Sequence, residues 1–78
     1  MSAKAAVACR IKEICTDRGI AINTLAHISD IPPSTVYSML NEKSQNPGIV
    51  SVEKICIGLE ISLRTFFDSP LFDNGEVK

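Results

Sequence analysis

The sequence predicts an all-α domain of five short helices. Three observations carry that reading. Apolar side chains recur at spacings of three and four along most of the chain. Glycine, proline and polar clusters interrupt the pattern at intervals of about one helix length. No stretch of useful length alternates apolar and polar residues as a half-buried strand would.

The first helix is expected over residues 3–18. Val7, Ile11, Ile14, Cys15 and Arg18 fall on one side, with Lys12, Glu13 and Asp17 on the other. Gly19 follows directly and supplies a left-handed cap. A second helix over residues 22–29 turns Leu25 and Ala26 inward, with Ile28 as a further candidate. Ala26 is small enough to let another helix cross closely, and Ala21 is a poor N-cap. Asp30-Ile31-Pro32-Pro33 then breaks the pattern, because Pro32 bars Ile31 from the helical region. Pro33 suits the first turn of a third helix, where its missing N–H costs nothing. That helix runs to about Asn41, with Val36, Met39 and Leu40 apolar.

Asn41 to Gly48 is polar and turn-rich, a loop. Ser51 is expected to begin a fourth helix whose buried stripe is Ile55, Cys56 and Leu59. Ser62 caps a fifth, Leu63 to Asp68, carrying Phe66 and Phe67. Residues 1–68 thus form the domain and residues 69–78 a short tail, in which Leu71 and Phe72 are the apolar anchors after Pro70. The expected core is Val7, Ile11, Ile14, Leu25, Ala26, Ile31, Val36, Met39, Leu40, Ile55, Leu59, Leu63 and Phe66.

Size and composition bound the function classes. Seventy-eight residues suffice for one domain, and 45% hydrophobic residues allow a modest core without disulfides or metal. No apolar run approaches the roughly 18 residues that span a bilayer. Met1 to Val7 does not read as a signal peptide, so a cytoplasmic protein is expected, with no membrane association. Cys9, Cys15 and Cys56 form an odd set without a C-x-x-C pair, which fits reduced, buried thiols. Together with His27 they lack the spacing of a zinc site, so neither metal nor cofactor is expected. One histidine and no nucleophile in a strained turn do not assemble a catalytic set, and the chain reads as a non-enzyme.

The segment Leu25 to Asn41, LAHISDIPPSTVYSMLN, resembles the helix-turn-helix of the XRE family, the lambda-repressor and Cro-like regulators. Leu25, Ala26, Ile31, Ser34, Thr35, Val36, Met39 and Asn41 match the pattern. The likeness continues through KSQNPGIVSVEKICIGLEISLRTFF, similar to the family's Asn-Pro loop and its fourth and fifth helices. Asp30, Glu42 and Glu60 stand where the family often has glycine, and Ile22 where it often has a phosphate-binding polar residue. Asp tolerates a left-handed conformation better than Glu, so Glu42 and Glu60 are expected to carry strain or a changed cap.

The resemblance implies a sequence-specific transcriptional regulator, a repressor, that lays its third helix in the major groove of double-stranded DNA. Ser34, Tyr37 and Ser38 are then the residues that read base edges, with Pro33 and Thr35 beside them at the helix start. Asn41, Lys43 and Ser44 would meet the sugar-phosphate backbone, as would Asn23 and Thr24 at the start of helix two. His27 faces solvent or a phosphate. Net charge is −1, but residues 1–67 hold seven basic and six acidic side chains, and the acidic excess lies in the last eleven. A near-neutral module offers few phosphate contacts, which points to a homodimer on a palindromic operator. Leu71 and Phe72 either supply the pairing surface with helix five or fold back on helix one of the same chain. The alternative class is a protein-interaction module, such as an antitoxin or regulator subunit, that binds a protein partner with little or no DNA affinity.

Overall fold

The computed structural model describes residues 2–41 and 48–73. Its helices are α1 (Ala3–Arg18), α2 (Ile22–Ile28), α3 (Pro33–Leu40), α4 (Ile49–Leu59) and α5 (Leu63–Phe67), followed by a 3₁₀ turn, Pro70–Phe72. No strand occurs among the described residues, and the all-α reading holds.

Local chemistry explains where each helix starts. Ser2 caps α1, its Oγ accepting from the Ala5 N–H at 3.1 Å. Ser62 caps α5 in the same way, accepting from the Thr65 N–H at 3.0 Å. Each bond satisfies one of the donors that a helix start leaves open. Ala21 offers α2 no side-chain cap, and α3 begins with Pro33 at its first position. The fourth helix starts at Ile49, two residues before the Ser51 expected from sequence. Gly48 precedes it, and the Gly48 carbonyl accepts from the Val52 N–H at 3.2 Å. Ile49 and Val50 are each 60% exposed, so this first turn lies outside the core and leaves no burial pattern to read.

Three helices end in one device. After α1 and α4 the next residue adopts a left-handed conformation, Gly19 at φ 65° and Glu60 at φ 59°, and after α2 the second one does, Asp30 at φ 57°, beyond a right-handed Ser29. In each case two backbone N–H groups turn back onto the last turn. The Gly19 N–H donates to the Thr16 carbonyl and that of Ile20 to Cys15. Asp30 and Ile31 donate to His27 and Ala26, and Glu60 and Ile61 to Ile57 and Cys56. This is the paired arrangement that closes a helix with an apolar residue just beyond it. That apolar residue is an isoleucine all three times. Glu60 therefore sits in the strained conformation expected of it, while Glu42 lies outside the described residues.

The buried core gathers Val7, Ile11, Ile14, Cys15, Leu25, Ala26, Ile31, Val36, Met39, Val52, Ile55, Cys56, Leu59 and Phe66. Two expected members are corrected, since Leu40 and Leu63 only pack half-buried against its edge. Ile28 does not face inward either; it is 42% exposed, because the short α2 already spends its buried side on Leu25 and Ala26. Val52, Ala6 and Ala8 join the interior without having been expected there. The tail settles the position of Phe72. The 3₁₀ turn packs on α1, and the Phe72 ring lies 4.8 Å from Phe67 and 6.1 Å from Phe66, centroid to centroid. Phe72 thus folds back on its own chain.

Two long-range contacts fix the helices against one another. The Arg10 guanidinium donates to the carbonyls of Phe66 at 2.7 Å and Thr65 at 2.9 Å, and pairs with Glu13. A cation on the last carbonyls of α5 satisfies that of Phe66 and adds to the Asp68 N–H that already reaches Thr65. At Gly58, a Cβ would stand 2.6 Å from the Ile28 carbonyl oxygen and 2.8 Å from Ser29 Oγ. Helices α2 and α4 therefore meet at a separation that only glycine allows.

Helix propensity alone would make Gly58→Ala stabilising by about 1 kcal/mol. The clash is with backbone and cannot be relieved by a rotamer, so a net destabilisation of about 1–3 kcal/mol is expected in urea unfolding. Glu60→Gly should instead raise stability by about 1 kcal/mol, relieving the left-handed strain.

Thiol chemistry gives a second check. Cys15 and Cys56 are buried and Cys9 is half-buried, so the expectation of three buried thiols is met by two. Burial pushes the Cys15 and Cys56 thiols above their ordinary range, with Glu53 adding to the shift at Cys56. Under native conditions a thiol reagent should label Cys9 first and the other two only on unfolding. The unfolded chain gives up these two protons at lower pH than the native one. Stability should therefore fall as pH rises past the ordinary thiol value of about 8.5, and substituting both cysteines by alanine should flatten that fall.

Candidate nucleic-acid interface

A helical pair positions the site. Leu25 and Ala26 of α2 and Val36 and Met39 of α3 are buried, so the opposite faces of the two helices point outward. The turn between them is short: Ser29 and Asp30 close α2, Ile31 plugs into the core, and Pro32 is the N-cap residue of α3. Thr35 and Val36 both donate their N–H groups to the Pro32 carbonyl, at 3.0 and 3.3 Å. Proline is suited to this corner, since its fixed φ preorganises the entry into α3 and its missing N–H leaves nothing unpaired.

The outward face of α3 carries Pro33, Ser34, Tyr37 and Ser38, all exposed, with Asn41 exposed at its end. Tyr37 is 52% exposed, an uncommon state for an aromatic side chain that the core could use. Thr35 is half-buried beside them, consistent with a small residue at a close crossing. On α2, Asn23 and Thr24 are exposed at the first turn, and His27 is exposed one turn later. Lys43 and Ser44 lie outside the described residues.

The structure brings some of these together and separates others. Asn23, His27, Asp30, Pro32 and Pro33 line one open cleft on the outer side of the turn, with Ala26 and Ile31 at its floor. Asn41 belongs to a different groove, shared with Ser2, Lys4, Ala5, Ala8, Met39 and Leu40. Lys4 is therefore beside the end of α3, a basic residue that sequence reasoning missed. No local signal could have found it, because the groove joins positions far apart in the chain.

The electrostatics of this face are unusual for a surface that meets phosphates. Between Gly19 and Asn41 there is no lysine or arginine; one histidine, His27, and one acid, Asp30, stand there. Hydroxyls, amides and one phenol make up the polar surface. Such groups donate to or accept from either partner of a base pair, and reach phosphate oxygens without adding charge. Among the described residues no cluster of three potential metal ligands occurs, and no helix is long and apolar enough to cross a membrane.

The profile of one protein family, described as a Cro/C1-type HTH DNA-binding domain, matches residues 10–69. No curated protein and no solved structure matches the chain.

An exposed face that serves a ligand should contribute little to the fold. Ser34→Ala and Tyr37→Ala are each expected to change the unfolding free energy by less than about 0.5 kcal/mol, measured by urea denaturation. A large loss at either position would mean that the side chain belongs to the structure.

Proposed function

The chain belongs to the Cro/C1-type HTH DNA-binding domain family, and from that premise we propose that it is a sequence-specific transcriptional regulator acting as a repressor. The observation that carries the reading is the outward face of α3. Ser34, Tyr37 and Ser38 are exposed on a helix whose other side is locked into the core by Val36 and Met39. A rigid helix with polar side chains at its N-terminal end is what major-groove reading requires. Pro33 and the half-buried Thr35 set the depth of entry. Asn23 and Thr24 on α2, Asn41 after α3, and Lys43 and Ser44 further along the chain take the sugar-phosphate backbone.

None of Ser34, Tyr37 or Ser38 makes the two-pronged base contact of arginine, asparagine or glutamine, so each contact discriminates modestly. Two chains on a palindromic operator double the contacts. A two-fold pair would set its recognition helices about 34 Å apart, one turn of B-DNA. Occupying such an operator blocks access for other proteins, which is repression in its simplest form. A cytoplasmic location and the absence of a catalytic role follow from this reading.

The second reading is a protein-interaction module. It is favoured by α4, which leaves Ile49 and Val50 60% exposed and Ile57 68% exposed, apolar surface that reading DNA does not use.

Selection from a random duplex library at low salt tests the main reading, and a single enriched palindromic sequence is the expected result. Against that sequence, Ser34→Ala and Ser38→Ala should narrow the affinity gap between selected and random duplexes. Lys43→Ala should weaken binding to all sequences alike and reduce the salt slope by about one unit. A library that yields no enrichment at any salt concentration would remove the repressor reading and leave the interaction module.

A further inference from the structure

Helix α4 turns Val52, Ile55, Cys56 and Leu59 into the core, yet its opposite side is not uniformly polar. Val50 and Ile57 are exposed there, and Ile57 is the most exposed large hydrophobic side chain among the described residues. The two are seven residues apart, so they fall on one line along the helix. Glu53 and Lys54, both exposed, flank that line on opposite sides, each about 50° away. From this arrangement we propose that the outward stripe of α4 is the pairing surface for a second copy of the chain. The two α4 helices lie side by side and parallel, Val50 on Val50 and Ile57 on Ile57, and each Glu53 meets the partner's Lys54.

The inference rests on the paired reading above and gives it a surface. Apolar residues seven apart let two helices close along a seam, and the charges beside the seam select partner and orientation. A two-fold pair uses the same patch on both chains, so the patch must complement itself. This stripe does so in one orientation. With the helices parallel, the two-fold axis runs along them and carries each Glu53 to the flank where the partner's Lys54 stands. With the helices antiparallel, the axis runs across them and each charge meets its own copy, which is repulsive.

Two further features favour a copy of the chain as the occupant. The net charge is only −1, so two copies approach without strong mutual repulsion. The apolar tail residue Phe72 is already taken up on Phe66 and Phe67 of its own chain, which leaves the pairing to another element. Ile49 lies off the stripe, lining a groove with Val7 and Phe67, and takes no part in the contact.

Sedimentation equilibrium of the full chain from micromolar to millimolar concentration tests the pairing without DNA. Wild type should show a reversible monomer–dimer equilibrium. Glu53→Lys sets a second cation against the partner's Lys54, and Lys54→Glu sets a second anion against Glu53. Each should weaken pairing by about tenfold or more. The double variant Glu53→Lys/Lys54→Glu keeps the wild-type net charge and should pair as wild type does. An equimolar mixture of the two single variants should also pair, as one copy of each. Urea unfolding verifies that these exposed substitutions leave every chain folded.

Single variants that pair as tightly as wild type would overturn the proposal, because antiparallel helices would only exchange one like-charged contact for another. A double variant that fails to recover would overturn it as well. A wild-type chain that stays monomeric throughout would overturn it and leave the stripe to a different protein. None of these outcomes touches the DNA-binding reading, which the duplex library decides by enrichment; intact pairing without enrichment would remove that reading alone.

Discussion

The position of the candidate recognition helix depends on the approach of α4 to the end of α2 at Gly58. A side chain there would press on the Ile28 carbonyl and on Ser29, the two residues from which the chain turns toward α3. Ser29 is itself 4% exposed, and its hydroxyl has no hydrogen-bond partner among the described residues. Backbone hydrogen bonds close the turn, and the Ser29 side chain contributes to it by shape rather than by a polar bond. Because Ile31 drops into the core immediately afterward, any shift of α2 along α4 would carry Pro32 and Pro33 with it. Protein interiors pack too tightly for such a shift to be absorbed locally. The angle at which α3 meets its ligand is therefore set by a glycine on a helix that carries none of the proposed contacts.

The left-handed helix ends show a second constraint, and how unevenly the chain meets it. Gly19 adopts the conformation without strain, whereas Asp30 and Glu60 carry a Cβ into a region disfavoured by about 1–2 kcal/mol per residue. What offsets that cost is the same at each site. An isoleucine follows, and its N–H closes the ring to the carbonyl of the fifth residue before it. Ile31 is buried, and Ile20 and Ile61 pack half-buried against the core. Burial of a large aliphatic side chain contributes about 1.5–3 kcal/mol when complete, enough to hold a strained neighbour in place.

Much of this was legible in the sequence. The apolar spacing placed α1 at its observed ends, because a long helix buries a regular stripe. The two prolines fixed the start of α3 through covalent geometry alone. The start of α4 was not legible, since its first turn is exposed and Gly48 gives no capping signal. Leu40 and Leu63 were over-assigned to the core because periodicity shows which way a side chain points and not how much protein lies above it. Within the proposed interface, the exposed face of α3 follows from Val36 and Met39 being inward. The groove that joins Lys4 to Asn41 is tertiary, and no local pattern encodes it. The Arg10 contact with the end of α5 is hidden for the same reason.

Arg10 changes the meaning of the charge count. In sequence it is one of the basic side chains available to a polyanion; in the fold its guanidinium caps α5 and pairs with Glu13. Removing it from that role would take from the Phe66 carbonyl its long-range donor, so its charge is tied to the structure. Neither α2 nor α3 has a lysine or arginine to replace it. A surface built in this way cannot rely on strong general attraction to phosphates, because that attraction scales with the number of cations brought to the backbone. In the proposed complex, discrimination by hydroxyl and amide contacts makes up a larger share of the affinity. A weakly attracting module that reads sequence through neutral groups has the least non-specific binding to overcome, and gains most from a second copy placed one helical turn away.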